Sequence, residues 1–449
     1  MDNQSLAAAN RFSEVNLIAD PLYGYIEITK GTPTEPGERT LLDLPWLQRL
    51  RRIHQLQSAW WVFPSAEHSR FVHLLGAMHL ASLFARRIDS SLRAAFPDAP
   101  SPACVEETLR LAGLLHDVGH GPFGHFFDQE VLGNWRLNHE DIGRWLVENQ
   151  LADTIAGLRA SPSGRFEPDE SVDPRWVSWV MADADVAGYD PPGWLRACKP
   201  ILCGPATVDN LDYVRRDAYM CGIALGPVDV QRLIHYSFVT GDTLVLHMHA
   251  AGALQMFLAS RLYMYTQVYH HRTGRRFDLA MREIFADTIA LLLPGNPLEH
   301  PDDYLRLTDW SVLEAAQRWM RAPAGSEERR LGEAWGRLLG RDLHWHLAYE
   351  TIAHRGHDLS TLRERLLAAI PAVTARVQVD IVSAKIAPHN PMADHGFVAM
   401  YDPIKGTVER HHTAEMIERL PQHNQLVRVF TDDVKAIPML HGAAHGLLS

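Results

Sequence analysis

The chain has 449 residues, 46% of them hydrophobic and 22% charged, with a formal net charge of −11. Such a composition excludes a mostly disordered chain, and the charge excludes bulk attraction to nucleic acid, which is not expected as the main partner. The 25 histidines are the unusual count, and a metal site is one reason to carry so many. Cys104, Cys198, Cys203 and Cys221 form no disulfide framework, which fits a reducing, cytoplasmic compartment. The N-terminus lacks a basic stretch followed by an apolar one, and no apolar run approaches the ~18 residues of a membrane span.

In chain order, residues 17–40 read as extended structure and a turn, and Leu44 to Leu56 as an amphipathic helix with Leu47, Leu50 and Ile53 at helical spacing. A longer helix covers His68 to Ile88, and another covers Glu106 to Asp117, stopped by Gly119. Residues 120–128 are a tight loop or a broken helix start, Asn138 to Glu148 a short helix, and 160–175 a polar surface loop. Thr207 to Met220 is helical, and residues 237–249 alternate around Gly241–Asp242 as a β-hairpin. Gly252 to Tyr269, Phe277 to Leu293 and stretches within 309–350 are expected helices. Strands follow at 377–387, 396–402 and 426–432, with a short helix at 414–420. The expected division is an extended segment at 1–45, a helical core at 46–375 and a small α+β lobe at 376–449.

The chemistry concentrates in the histidine-bearing segments. An apolar helix running into the adjacent pair His116–Asp117 costs helix propensity and desolvation, and a divalent cation would offset both. His73 and an aspartate of the segment 209–217 complete two imidazoles and two carboxylates, a set suited to Mn, Fe, Mg, Zn or Co with positions left for water. Spacing alone leaves Asp209 and Asp212 as alternatives. His120, His125, Asp128 and His139 lie just beyond the pair, and an imidazole with a carboxylate partner is an acid or base near neutral pH. Arg70 shares a helix face with His73 three residues on, and Tyr213 shares one with Asp217.

Taken together, RFVHLLGAMHLA (70–81), LAGLLHDVGHGPFGHFFD (111–128), NHEDIG (138–143) and DNLDYVRRDAYMCGI (209–223) resemble the HD-domain phosphohydrolases, in their dGTPase-like, deoxynucleoside triphosphate triphosphohydrolase branch. The resemblance runs from about residue 17 to about residue 432. It implies a mostly α fold, an HD-domain helical core with a β-hairpin insertion and a small C-terminal α+β lobe. The implied metal ligands are His73, His116, Asp117 and Asp209, with Asp212 a structural neighbour. His120, His125, Asp128 and His139 become the catalytic group that works on the triphosphate. Gln55, Leu56, Arg70, Tyr213, Asp217, Arg261, Tyr269, His271 and Arg272 become substrate positions for phosphate and sugar, with Tyr269 excluding a ribose 2′-hydroxyl.

The resemblance also makes residues 1–45 a regulatory and interface region, with the allosteric nucleotide site continuing into the adjoining helix. Asp43, Gln48 and Arg51 sit where allosteric members hold a guanine nucleotide. An acid and an amide can read the base edge there, and a guanidinium can pair with phosphate. The implied partners are a dNTP substrate, a divalent metal, magnesium accompanying the nucleotide, GTP or dGTP as activator, and further copies of the chain in a dimer or tetramer. Val72, Asn210, Tyr265 and His270 depart from the pattern, and Asn210 replaces a phosphate-contacting lysine. These departures keep open a modified nucleotide, a nucleoside monophosphate or another phosphoester as substrate.

Overall fold

In a computed structural model, residues 14–182, 188–226, 228–353, 359, 361–370, 375–385, 397–412 and 423–448 are described. The chain starts with an antiparallel hairpin of β1 (Val15–Asp20) and β2 (Gly24–Thr29), in register from Val15↔Thr29 to Asp20↔Gly24. Its inner residues Ile26 and Ile28 are buried, and Leu17 and Tyr25 stay exposed. The alternation follows from the period-2 geometry of a strand with one wet face.

The amphipathic helix expected over Leu44–Leu56 is cut short. It comprises one α turn (Pro45–Gln48) and a 3-10 turn (Arg49–Arg52), after which Ile53 is extended. Tertiary hydrogen bonds pull the backbone straight: Asp309 accepts the His54 N–H at 2.8 Å, and Ile53 accepts the Arg70 N–H at 3.0 Å.

Two long antiparallel helices form the centre, α1 (Arg70–Ala95) and α2 (Pro102–Leu115). Ser101 caps α2 and Pro102 opens it, a favourable start because proline has no N–H to leave unpaired. Nearly every residue of α2 is buried, so its apolar run reflects burial on all sides rather than an amphipathic face. His116 caps its C-terminus. The chain then turns through Gly119–Gly124 into α3 (His125–Glu130) and, after Leu137, α4 (His139–Trp145). A capping box between Asn138 and Asp141 sets the start of α4. Helix α5 (Val208–Cys221) lies against α1 and is capped by Thr207.

Further helices α6 (Ala251–Met264), α7 (Arg272–Ala290), α8 (Asp309–Trp319) and α9 (Glu327–Leu339) complete the helical core. One apolar cluster runs through it from Ile26 to Phe430. The 309–350 stretch ends differently from expectation, because His346 opens a strand. No described helix is long and apolar enough to cross a membrane.

The expected hairpin is present as β3 (Ser237–Thr240) and β4 (Thr243–His247). It joins the C-terminal strands β7 (Phe397–Asp402) and β8 (Thr407–His412) in the order β8-β7-β4-β3, through parallel pairing at Leu246↔Met400 and His247↔Tyr401. A second sheet places β9 (His423–Thr431) between β5 (His346–Ala353) and β6 (Val377–Lys385), all antiparallel. A smaller apolar cluster including Leu366, Val427, Val429 and Leu440 backs this sheet, and helix α10 (Ile437–Leu448) packs on it. The helix expected at 414–420 lies outside the described residues.

Candidate functional site

The site forms where α1, α2, α5 and the segment 119–139 meet. His73 from α1, His116 and Asp117 from the end of α2, and Asp209 from the first turn of α5 bring their ligand atoms together. His73 Nε2 lies 3.1 Å from Asp209 Oδ1 and 3.3 Å from His116 Nε2. His116 Nε2 is 3.4 Å from Asp209 Oδ1 and 3.5 Å from Asp117 Oδ1. A cation with bonds of about 2.1 Å separates neighbouring octahedral donors by about 3.0 Å, close to this spacing.

The outer ring nitrogens explain the arrangement. His116 Nδ1 faces the Gly113 carbonyl at 2.9 Å and His73 Nδ1 faces Asp212 Oδ2 at 2.8 Å. Both partners only accept, so both Nδ1 atoms carry hydrogen and both Nε2 lone pairs point inward. Two lone pairs and two carboxylates turned on one another call for a cation, and the donor set fits a divalent metal.

The electrostatics agree. Burial opposes the charge on His73, but hydrogen bonds to Asp209 and Asp212 lift its pKa to about 10, so a proton competes with a metal cation for the inward Nε2 lone pair. Burial likewise opposes the charged form of Asp117, and His116, His120 and Arg70 outweigh it and hold the carboxyl well below the usual range. Arg70 donates to Asp117 Oδ2.

A second set sits on the other side of Asp117. His139 Nδ1 donates to Asp128 Oδ2 at 2.6 Å, and His125 Nδ1 lies 3.4 Å from the same oxygen. His120 stacks on His139 with ring centroids 3.7 Å apart, and its Nε2 is 3.4 Å from Asp117 Oδ1. His139 Nε2 is 4.0 Å from that oxygen. His120 is wholly buried, yet among the described residues neither ring nitrogen has a hydrogen-bond partner, and Asp128 Oδ1 is also unpartnered. His125 is 64% exposed in its side chain and forms the rim. Burial, Arg70 and His139 push the His120 pKa well down. Burial acts the same way on His139, but Asp128 outweighs it and the pKa rises.

The loop carrying these residues is held from outside. Arg49, fully buried, donates to the His120 carbonyl at 2.7 Å and to the Leu307 carbonyl at 2.9 Å. Tyr304 donates to the Gly119 carbonyl at 2.7 Å, and Asp309 accepts the Phe123 N–H at 2.8 Å. Phe123 adopts φ of 61°, a left-handed conformation that costs a non-glycine residue about 1–3 kcal/mol and persists only when neighbours enforce it. At Gly119 a Cβ would fall 2.1 Å from the His139 carbonyl. Only glycine lets α4 approach closely enough to bring His139 to Asp117.

The expected substrate positions divide. Arg261 donates to the Tyr213 hydroxyl at 3.1 Å, and the Tyr213 ring lies 6.4 Å from His73. Tyr269 donates to Asp217 Oδ2 at 2.7 Å, and the Tyr269 and Tyr213 rings are 6.0 Å apart. Gln55 pairs its N–H with the His68 carbonyl, its buried Oε1 has no partner among the described residues, and Leu56 is buried beside it. His271 caps α7, accepting the Thr273 N–H at 3.2 Å, and Arg272 is exposed on the first turn. Neither hydrogen-bonds to the two donor sets among the described residues.

The expected nucleotide-reading residues lie on the surface. Arg51 donates to Gln48 Oε1 at 2.9 Å and covers the Phe71 ring, whereas Asp43 is 3.6 Å from Arg39. So Gln48 and Arg51 are together, and the Asp43 carboxylate is turned to another partner.

Sequence reasoning passed over several residues that shape the site: His68, which pairs with Asp217 at 2.8 Å, Asp309 and Arg49. A buried arginine in an exposed-looking RLRR run has no local signature.

The HD domain family matches residues 70–172, and the HD-associated region matches residues 228–386. The chain belongs to the HD-domain family. Deoxynucleoside triphosphate triphosphohydrolase SAMHD1 of Homo sapiens is 38% identical over 329 residues, covering 67% of this chain and 50% of that protein. The SAMHD1 homolog of Dictyostelium discoideum is 26% identical over 320 residues, covering 69% and 56%. The chain thus spans about half the length of these curated relatives. A crystal structure of a hypothetical protein from Aquifex aeolicus superposes with a TM-score of 0.70 at 25% identity, covering 96% of this chain and 99% of that one. The HD-domain chain and its mostly α fold thus agree with the expectation from the four motifs.

Proposed function

We propose that this HD-domain chain is a divalent-metal-dependent hydrolase that converts a deoxynucleoside triphosphate to the deoxynucleoside and inorganic triphosphate. The observation that carries the proposal is the meeting at Asp117. One of its oxygens faces His116, His120 and His139, and the other takes the Arg70 guanidinium. A cation-ready donor set, an acid–base pair and an arginine thus share one carboxylate. The relatives named as deoxynucleoside triphosphate triphosphohydrolases support the substrate class.

His73, His116, Asp117 and Asp209 would hold the metal. A bound divalent cation lowers the pKa of a water and polarises a phosphoryl oxygen. The water oxygen gives up one proton to solvent as it bonds to the α-phosphorus, the bond from that phosphorus to the 5′-oxygen breaks, and the 5′-oxygen takes up one proton, so protons balance overall. His139, whose protonated form Asp128 favours, would supply that proton. Arg70 and Arg261 supply the positive field that an acidic chain must build locally for a polyanion. Tyr213, Asp217 and Tyr269 form the wall against which the sugar packs. The same reading makes Asp43, Gln48 and Arg51 a guanine-nucleotide site in a homo-oligomer.

Metal-loaded protein incubated with each dNTP, with and without GTP, tests the reaction. Inorganic triphosphate is the expected product. Stepwise phosphate release, or no turnover of any dNTP, would sink it. Asn210 favours a second reading: its Oδ1 is buried without a partner among the described residues, and it supplies no charge for a long phosphate chain. A preference for monophosphates over triphosphates in the same panel would establish that alternative.

A further inference from the structure

Behind His73 a chain of buried charges leads away from the donor set to the N-terminal hairpin. Asp212 Oδ2 takes the His73 Nδ1 hydrogen at 2.8 Å and the Arg216 Nε hydrogen at 2.8 Å. Its Oδ1 takes a second Arg216 N–H at 2.9 Å and the Tyr23 hydroxyl at 2.8 Å. Four donors occupy one carboxylate, so it cannot rotate away from the imidazole without losing several of them at once. Arg216 in turn donates to Asp20 Oδ2 at 2.8 Å, and Asp20 Oδ1 accepts the N–H groups of Leu22 and Tyr23 at 2.8 and 3.2 Å. The turn between β1 and β2 is therefore tied to the metal-facing histidine through two side chains.

Space for this arrangement is reserved. A Cβ on Gly76, one turn beyond His73 on α1, would fall 1.9 Å from Asp212 Oδ1 and 2.5 Å from the Arg216 guanidinium. The hairpin also has a second anchor. Arg110 already ties it down through Glu38 at 2.7 Å and the Glu27 carbonyl at 2.7 Å, on a route that does not touch a metal-facing residue. The Asp20–Arg216–Asp212 chain does something the other anchor does not: it fixes the tautomer and plane of the His73 ring.

We infer that the β1–β2 turn, acting through Arg216 and Asp212, positions His73 for the divalent cation, so that Asp20, Tyr23, Arg216 and Asp212 set metal affinity without being ligands. The inference rests on His73 being a ligand and is independent of which phosphoester is cleaved. A carboxylate behind a ligating imidazole raises its basicity and holds its orientation, and losing such a partner costs about 10- to 100-fold in metal affinity. Among the described residues, the N-terminal hairpin supplies one of the four donors on this carboxylate, the Tyr23 hydroxyl, and holds Arg216, which supplies two more, through Asp20, which makes the first strand pair part of the metal site's support.

The test titrates cobalt(II) into the full chain against a competing chelator, read by its visible absorption, beside the thermal midpoint of the metal-free protein. Asp212→Asn is expected to weaken cobalt binding by about 10- to 100-fold and to change the absorption spectrum. Tyr23→Phe removes one hydroxyl from a half-buried ring and is the variant that will fold. It and Asp20→Asn are expected to weaken binding by about threefold or more, the effect of loosening one charged hydrogen bond. Glu38→Gln loosens the other anchor and is expected to lower the midpoint while leaving cobalt affinity unchanged. Wild-type affinity in both Tyr23→Phe and Asp20→Asn overturns the inference. So does an equal weakening in Glu38→Gln, which would reduce the effect to general loosening. Absence of cobalt uptake by the wild type overturns it together with the metal centre, whereas cobalt uptake without triphosphate release removes only the substrate assignment.

Discussion

His73 and His120 flank the same carboxylate, Asp117, and both are wholly buried, but their surroundings are opposite in kind. His73 has a carboxylate behind it and the donor set in front, and His116 beside it is backed by a carbonyl. His120 has neither nitrogen hydrogen-bonded among the described residues; its carbonyl is held by Arg49, its ring stacks on His139, and its Nε2 lies 3.4 Å from Asp117. An imidazole fully wired on one side is held in the pose that a metal ligand needs. A buried imidazole with idle nitrogens is a costly arrangement that a substrate group could relieve. Under the proposed function, the first half would hold the cation and the second would meet a transient partner.

Four outcomes would break or sharpen that contrast, and the largest concerns the first half. His116→Ala is expected to lower bound metal per chain and to cut triphosphate release about a thousandfold or more, checked by metal analysis and product assay on one preparation. Retained metal would end the distinction between the halves. For the second half, His139→Ala is expected to keep its metal and lose about 10²- to 10⁴-fold in kcat. A variant that loses metal instead would assign His139 to the donor set.

Gly119→Ala attacks the contact that brings the halves together. Its Cβ would sit 2.1 Å from the His139 carbonyl, so a loss of about 1–3 kcal/mol in stability is expected, with kcat falling more than metal content. Chemical denaturation and metal analysis measure the two effects separately.

The smallest effect concerns pH and a histidine outside both halves. Burial, and then the neighbouring Arg110 and Arg86, push His79 on α1 down to about 4 from the usual 6.5. A depressed imidazole favours the fold in its neutral form. Its contribution is therefore complete above about pH 6.5 and is lost as pH falls toward 4, up to about 3 kcal/mol. His79→Gln is expected to flatten the fall in thermal midpoint between pH 7 and 4, and an unchanged slope would remove His79 from the acid response.

How far the site was legible varies residue by residue. The helix running into His116–Asp117 could be read from its apolar run, since a buried helix ending in two polar side chains conflicts with its own burial. Asp209 and Asp212 could not be separated by spacing, because three residues apart on α5 both face α1. Their roles divide at opposite nitrogens of one ring, Asp209 toward Nε2 and Asp212 toward Nδ1. That division depends on how α5 is rotated against α1, and the bare Gly76 surface sets how closely they pack. The helix expected over Leu44–Leu56 failed for a related reason. Its hydrophobic spacing is genuine, but the His54 N–H is taken by Asp309, some 250 residues later.

Local pattern was sufficient where a property belongs to a single stretch of chain. The long helices, the 237–249 hairpin, the strand-rich end and the histidine–aspartate motifs belong to that class, because burial and periodicity act on neighbours in sequence. The tertiary structure decided everything that needs two distant segments to meet: the hairpin's parallel pairing with β7, the arginine and aspartate that hold the 119–124 loop, and the hairpin turn behind His73. A hydrogen bond or a metal distance is a matter of a few tenths of an ångström. Sequence spacing specifies which groups are available, and only the packing of helices against one another sets such distances.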